Sequence, residues 1–378
     1  MKSTQYPRLF TSMFLFCAAS LFAADQPFKS GSNGSYGPLD IQAATTLDMP
    51  PDGIFHCTTI RISSILLFKK NALNTPVYLL ATGDVVIEER AMIDVSAELN
   101  RTIGGPGGFA GGEPAFQEAP PGDGHGPGAG KAISGARSVD DHPHGVFASS
   151  VGGSTNVYGN SLLLPLVGGS GGAAVNGLLG GGGGGAILIA SDTKIVIDGQ
   201  IIASGTGYGD GGFGSGGAIR IVAPIVSGSG ELIPWIRVPQ GREPGNGGWS
   251  RIDSLDRFAY RNLRLKGRWS RGSQMIVFPP NPPRLDIVEA AGTIIPVGAA
   301  APVDVKLSVG SPETQTVKVQ GTNFTDDTPI TVAVTPENGP SARYDGTIPK
   351  PVTGNTSIAA VEVKIPVDTV CHVHVWTR

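Results

Sequence analysis

Between Ser138 and Gly145 the chain reads SVDDHPHG, which sets Asp140, Asp141, His142 and His144 within five residues. Carboxylates and imidazoles gathered this closely have the chemistry to hold Zn²⁺ or a Ca²⁺-class ion. Pro143 divides the two histidines, so the spacing alone fixes no coordination geometry, and a solvated loop is the competing reading. A second stretch, AYRNLRLKGRWSRG (259–272), gathers Tyr260, Arg261, Arg264, Lys266, Arg268 and Trp269, with Arg271 following. On a closing strand Leu263 and Leu265 would point inward and Arg264 and Lys266 outward. Such a patch could contact an acidic polysaccharide or a cell-surface polymer, with Trp235, Trp249 and Trp269 as stacking platforms. The alternative is a charged edge that discourages strand addition. In HVHVW, His372 and His374 share one face of a strand, with Cys371 and Val373 on the other.

Other candidate motifs fail on their chemistry. The run Gly180–Gly185 continues into Ala186 and Ile187, so it lacks the lysine and hydroxyl of a phosphate loop. HGPGAGKA (125–132) is a nearer miss, with His125 where the first glycine belongs and Ala132 in place of Ser or Thr. GGSGG fits a nucleophile elbow around Ser170, but no strand–turn–helix setting surrounds it. No catalytic residue and no cofactor is assigned. A net charge of −3 favours neither nucleic acid nor an acidic membrane as partner.

The elements that would carry these residues are strands. Glycine fills 56 of 378 positions, against a usual share of about 7%. Apolar runs such as VYLLA, AILIA and AIRIVA are nevertheless present, and they can bury a core. The segments 77–98, 185–207 and 216–235 share one grammar of short strand, polar corner, short strand, corner, strand. Their corners use Asp-Gly and similar pairs. Residues 56–71 supply strands for an earlier copy, and 31–49 would cap that end. This pattern predicts an all-β chain: a right-handed parallel β-helix (solenoid) over 25–278, interrupted by a long Gly-rich insertion at about 101–185. Some of that insertion is expected to form polyproline-like or turn-rich structure packed on the rungs. The Pro-rich stretch 279–286 reads as a linker. From 287 to 378 a period-two alternation in VDVKLSV, QTVKVQG, PITVAVT, AAVEVKIPV and CHVHVWT predicts a small immunoglobulin-like β-sandwich.

Residues 1–24 have the charged start and apolar run of a secretory signal peptide, with a lipoprotein reading through Cys17 as the alternative. Removal of this leader leaves Cys57 and Cys371, read as two independent thiols rather than one long-range bridge. No later segment is long and apolar enough to span a bilayer.

The set DGIFHCTTIRI, NTPVYLLATGDVVIE, IDVSAE, GGPGGFAGG, GGGGGGAILIAS and GSGGAIRIVAP resembles a group of secreted, glycine-rich bacterial proteins without a described activity. The resemblance implies a pectin-lyase-like right-handed β-helix and export, and it implies no catalytic residues. Together these readings lead to the expectation of a structural or adhesive protein, secreted, periplasmic or at the cell surface. The alternatives are a polysaccharide lyase or glycoside hydrolase on a β-helix, or a non-catalytic carbohydrate-binding protein.

Overall fold

The computed structural model describes residues 27–99, 101–114, 121–132, 158–174, 177–207, 212–237, 247–337, 341–366 and 369–378. Among these the chain is all-β, without helices: a large curled parallel sheet, further parallel strands beside it, and antiparallel sheets towards the C-terminus.

The parallel part is laid down in passes. The first pass gives β1 (Gly37–Ile41) and β2 (Thr45–Asp48), so the region expected to cap the end itself forms strands. The second gives β3 (Ile54–Ile62) and β4 (Ile65–Lys69). The third gives β5 (Val77–Ala81), β6 (Val85–Ile87) and β7 (Met92–Asp94). The fourth gives β8 (Ala186–Ser191), β9 (Lys194–Ile197), β10 (Gln200–Ile202) and β11 (Gly205–Thr206). The fifth gives β12 (Ala218–Ala223), β13 (Ile225–Ser227), β14 (Glu231–Ile233) and β15 (Ile236–Arg237). The last gives β16 (Trp249–Ser254), β17 (Arg264–Leu265) and β18 (Arg268–Gly272). The three repeated segments thus deliver their strands where the sequence pattern put them.

Each strand pairs in parallel with its equivalent in the neighbouring pass. Phe55, Leu79, Ile189, Ile221 and Ile252 form one continuous inward column across β3, β5, β8, β12 and β16. Leu66, Ile93, Ile201 and Leu232 form another across β4, β7, β10 and β14. These columns make the main core, and each fully buried Leu or Ile contributes about 1.5–3 kcal/mol. The Asp84–Lys194 meeting that the alignment of the repeats implies is an ion pair at 3.2 Å.

The glycine-rich insertion leaves after β7 and returns at β8. Its segments bond to neighbours on several sides at a step of three residues. Gly180 and Gly183 donate to the carbonyls of Gly112 and Phe109, while Gly181 and Gly184 donate to those of Gly212 and Ser215. Gly169 and Gly172 donate in turn to Gly184 and Gly181. A three-residue repeat is the pitch of a polyproline-II chain, which has no internal hydrogen bonds and must pair outward. Glycine is required by proximity: a Cβ on Gly183 would overlap the carbonyl oxygen of Gly169, and one on Gly171 that of Ala110.

Antiparallel strands follow: β19 (Arg284–Ala290), β20 (Thr293–Ile294), β21 (Thr314–Thr322), β22 (Thr328–Pro336), β23 (Ala342–Ile348), β24 (Thr356–Lys364) and β25 (Cys371–Thr377). They form two sheets, β20-β19-β21-β24 and β23-β22-β25, with Val317, Val319, Ile330, Val332, Ile348 and Val363 in the core that these strands share. Two expectations need correction. VDVKLSV (303–309) forms no strand, because Val303 and Val309 face solvent and only Val305 packs inward. The stretch 279–286 is not all linker, since β19 already starts at Arg284.

Candidate interaction surface

The curled sheet presents an outer face across its parallel strands. One outward row runs Tyr78, Leu188, Arg220, Arg251, Ser270, and the next runs Leu80, Ala190, Val222, Asp253, Gly272. The chain covers this face itself. Phe28, Leu163, Leu166, Met275 and Val277 pack on it as a second apolar cluster, and the Phe278 ring lies 5.2 Å from that of Tyr78.

Beneath that cover is a buried ionic cluster. Asp253 accepts from Arg251 at 2.7 and 2.8 Å, from Arg220 at 3.2 Å and from the backbone N–H of Gln274 at 3.0 Å. Burial lowers the Arg220 guanidinium from its ordinary value, against the opposing pull of Asp253. Among the described residues its Nε and Nη1 have no partner. Tyr78 beside it is pushed up to about 12 by burial. Asp253 is the counter-ion of both guanidiniums, and the bonds from Gln274 N–H to Asp253 and from Arg251 to the Ser161 carbonyl tie the covering segments to the cluster.

The candidate sites fare differently. Asp140, Asp141, His142 and His144 lie outside the described residues. Among the described residues no group of three or more His, Cys, Asp or Glu is placed to hold a metal ion. Ser170 is fully buried in the glycine bundle, where its hydroxyl accepts from Gly128 N–H and its own N–H donates to the Ser215 hydroxyl. His372 and His374 do share a face, their rings stacked at 6.4 Å, with Cys371, Val373 and Val375 turned toward the antiparallel core. Cys57 and Cys371 are both free thiols.

The basic–aromatic stretch is split by its own geometry. Tyr260 is buried in the main core together with Leu263, so it offers no face to a polymer, and its hydroxyl has no partner among the described residues. Leu265 also turns inward. Arg264 donates to Glu231 at 2.7 Å, and Glu231 also accepts from Gln200 at 3.0 Å. The Arg264 hydrogen bond holds the Glu231 carboxyl below its ordinary range. Arg261 and Lys266 are exposed, and Arg268 is half-buried. Trp269 is 49% exposed, with the Arg271 guanidinium 5.9 Å from its ring. Sequence reasoning missed that Leu255, Arg257 and Phe258 share this exposed end, Phe258 being 79% exposed. Their signal was available only through the register of β16 with β18, which identifies the last pass. Trp249 is half-buried and donates to the Ser270 hydroxyl, while Trp235 is partly exposed.

Compared with protein-family models, with curated proteins and with solved structures, the chain finds no match.

Proposed function

We propose that this chain is an exported structural or adhesive protein, built on a right-handed parallel β-helix like those of pectin-lyase type and carrying an immunoglobulin-like sandwich at its C-terminal side. The pass-by-pass parallel pairing supports the helix, and parallel crossovers are right-handed in about 98% of cases. Export rests on the leader pattern of residues 1–24.

One observation carries the non-catalytic reading. The outer face of the curled sheet is filled by the protein's own residues, and its carboxylate Asp253 is neutralised by Arg220 and Arg251. Glycoside hydrolysis needs two carboxyl groups about 5–9.5 Å apart facing a bound sugar. The second reading, a carbohydrate-binding protein without turnover, is favoured by the exposed Trp269–Arg271 pair.

The test is incubation of the purified protein with a panel of acidic and neutral polysaccharides, following binding and reducing-end release. The structural reading expects neither, whereas binding that Trp269→Ala abolishes would establish the second reading. Release of reducing ends would overturn both.

A further inference from the structure

The stack of parallel strands ends differently at its two extremities. Among the described residues β17 and β18 pair on one side only. The inward column Val77, Ile187, Ile219, Ser250 runs on into Trp269, and the column ending at Ile252 runs on into Arg271. Both side chains therefore occupy core-facing positions on a strand that has no further strand stacked on it. Leu255 and Phe258 are 61% and 79% exposed in the same pass. Around them stand Arg257, Arg261 and Lys266, all exposed. The acid in this stretch, Asp256, is engaged by the N–H groups of Phe258 and Ala259.

The opposite end has complementary features. β1 and β2 also pair on one side only. Ile54 to His56 of β3 pair with β5 on one edge and with no strand of the described residues on the other, where Tyr36 N–H donates to the His56 carbonyl and Ile54 N–H donates to the Asp52 carboxylate. A cavity of about 320 Å³ opens there, lined by Tyr36, Asp48, Met49, Ile54, Phe55 and His56. Asp48 in that lining is exposed, as is Asp52 nearby in sequence, whose carboxylate accepts from the Ile54 N–H. Of the nearby cations, Arg61 is held by Glu88, and Lys69 lies 3.4 Å from Asp48.

We propose that copies of this chain join head to tail. β18 of one copy lies along the edge of Ile54–His56 that carries no strand in the next, its Trp269 enters the 320 Å³ cavity and its Arg271 meets Asp48. An unpaired strand edge is a template for pairing, and a heterologous contact between two different surfaces propagates instead of closing as a two-fold dimer does. Charge favours the mixed junction: two cationic ends repel, whereas the opposite end offers Arg271 the exposed carboxylate of Asp48. The assembly gives the structural role its mode of extension and rests on that reading's continuous column.

Sedimentation analysis of the purified protein tests it. Oligomers should grow with concentration at low salt and shrink as salt shortens the Debye length from about 10 Å at 0.1 M to about 3 Å at 1 M. Trp269→Ser combined with Arg271→Ser should abolish every species above the monomer, and so should Asp48→Lys alone. An equimolar mixture of these two variants retains one good junction and should give a heterodimer and nothing longer. A wild-type protein that stays monomeric with its β circular dichroism intact would overturn the proposal, as would self-association of either variant. Polysaccharide turnover would remove the structural reading by a separate measurement, so the two failures are distinguishable.

Discussion

The Nε2 of His125 stands 3.1 Å from the hydroxyl of Ser341, joining the glycine-rich insertion to the outer face of the β23-β22-β25 sheet. Trp376 lies against the same imidazole at 5.7 Å and against Phe109 at 6.1 Å, and Arg343 reaches Asp123 at 3.4 Å. Burial, with Arg343, His374 and Lys70 adding positive charge nearby, pulls the His125 imidazole down to about 3.

That neutral imidazole makes the junction pH-dependent. The unfolded chain protonates His125 near its ordinary 6.5 while the native protein resists until about 3. The stabilisation is therefore complete above pH 6.5 and declines as pH falls between these values, with a slope of at most about 1.4 kcal/mol per pH unit. Denaturant midpoints for wild type and His125→Gln at pH 7.5 and 4.5 should show a smaller drop in the variant. Equal drops would mean that the imidazole titrates normally.

Lys70 gives a test of the same sign at alkaline pH. Burial lowers its ammonium from 10.5 to about 8, while it donates to the carbonyl oxygen of Gly108 at 2.9 Å. Between pH 8 and 10.5 the native amine is neutral and the unfolded one charged, so this site's contribution to stability rises with pH across that window. Lys70→Met should remove that gain, measured as the difference in unfolding free energy between pH 7.5 and 9.5.

Asp253→Asn leaves Arg220 and Arg251 buried without their counter-ion and should cost about 3–5 kcal/mol by equilibrium unfolding. Arg220→Met in the native background should cost far less, because Nε and Nη1 already lack partners among the described residues. If the two substitutions cost the same, Asp253 is not the shared counter-ion described above.

Gly183→Ala forces a methyl group onto the Gly169 carbonyl and should destabilise by about 3 kcal/mol or more, the upper range for overpacking. Gly247→Ala is the control: its nearest neighbour would be Gly267 Cα at 3.5 Å, and it should stay within about 0.5 kcal/mol of wild type. Melting curves of both variants decide the matter.

The strand grammar was readable because its signal is local. Ile187, Ile195 and Ile201 lie in short apolar runs between polar corners, and all three are fully buried. β23 escaped because ARYDGTI has no apolar alternation; it is held by pairing with β22 rather than by its own pattern. Val309 misled for the converse reason, alternating correctly while its side chain faces solvent. The split of the basic–aromatic stretch was illegible because Tyr260 turns inward through the irregular turn between β16 and β17, where no periodicity operates. The cover over Arg220 comes from residues far apart in sequence, such as Phe28 and Val277, and no local window could contain it.

The three-residue repeat of the glycine segments has a thermodynamic corollary. A fabric that coheres through amide pairing and shields few methyl groups adds little to the heat-capacity increment of unfolding, to which exposed peptide groups contribute with negative sign. Its share of the stability curve should be flatter with temperature than that of the isoleucine columns beside it. On cooling, when hydrocarbon burial loses strength, the glycine layer then becomes the more tenacious half of the molecule.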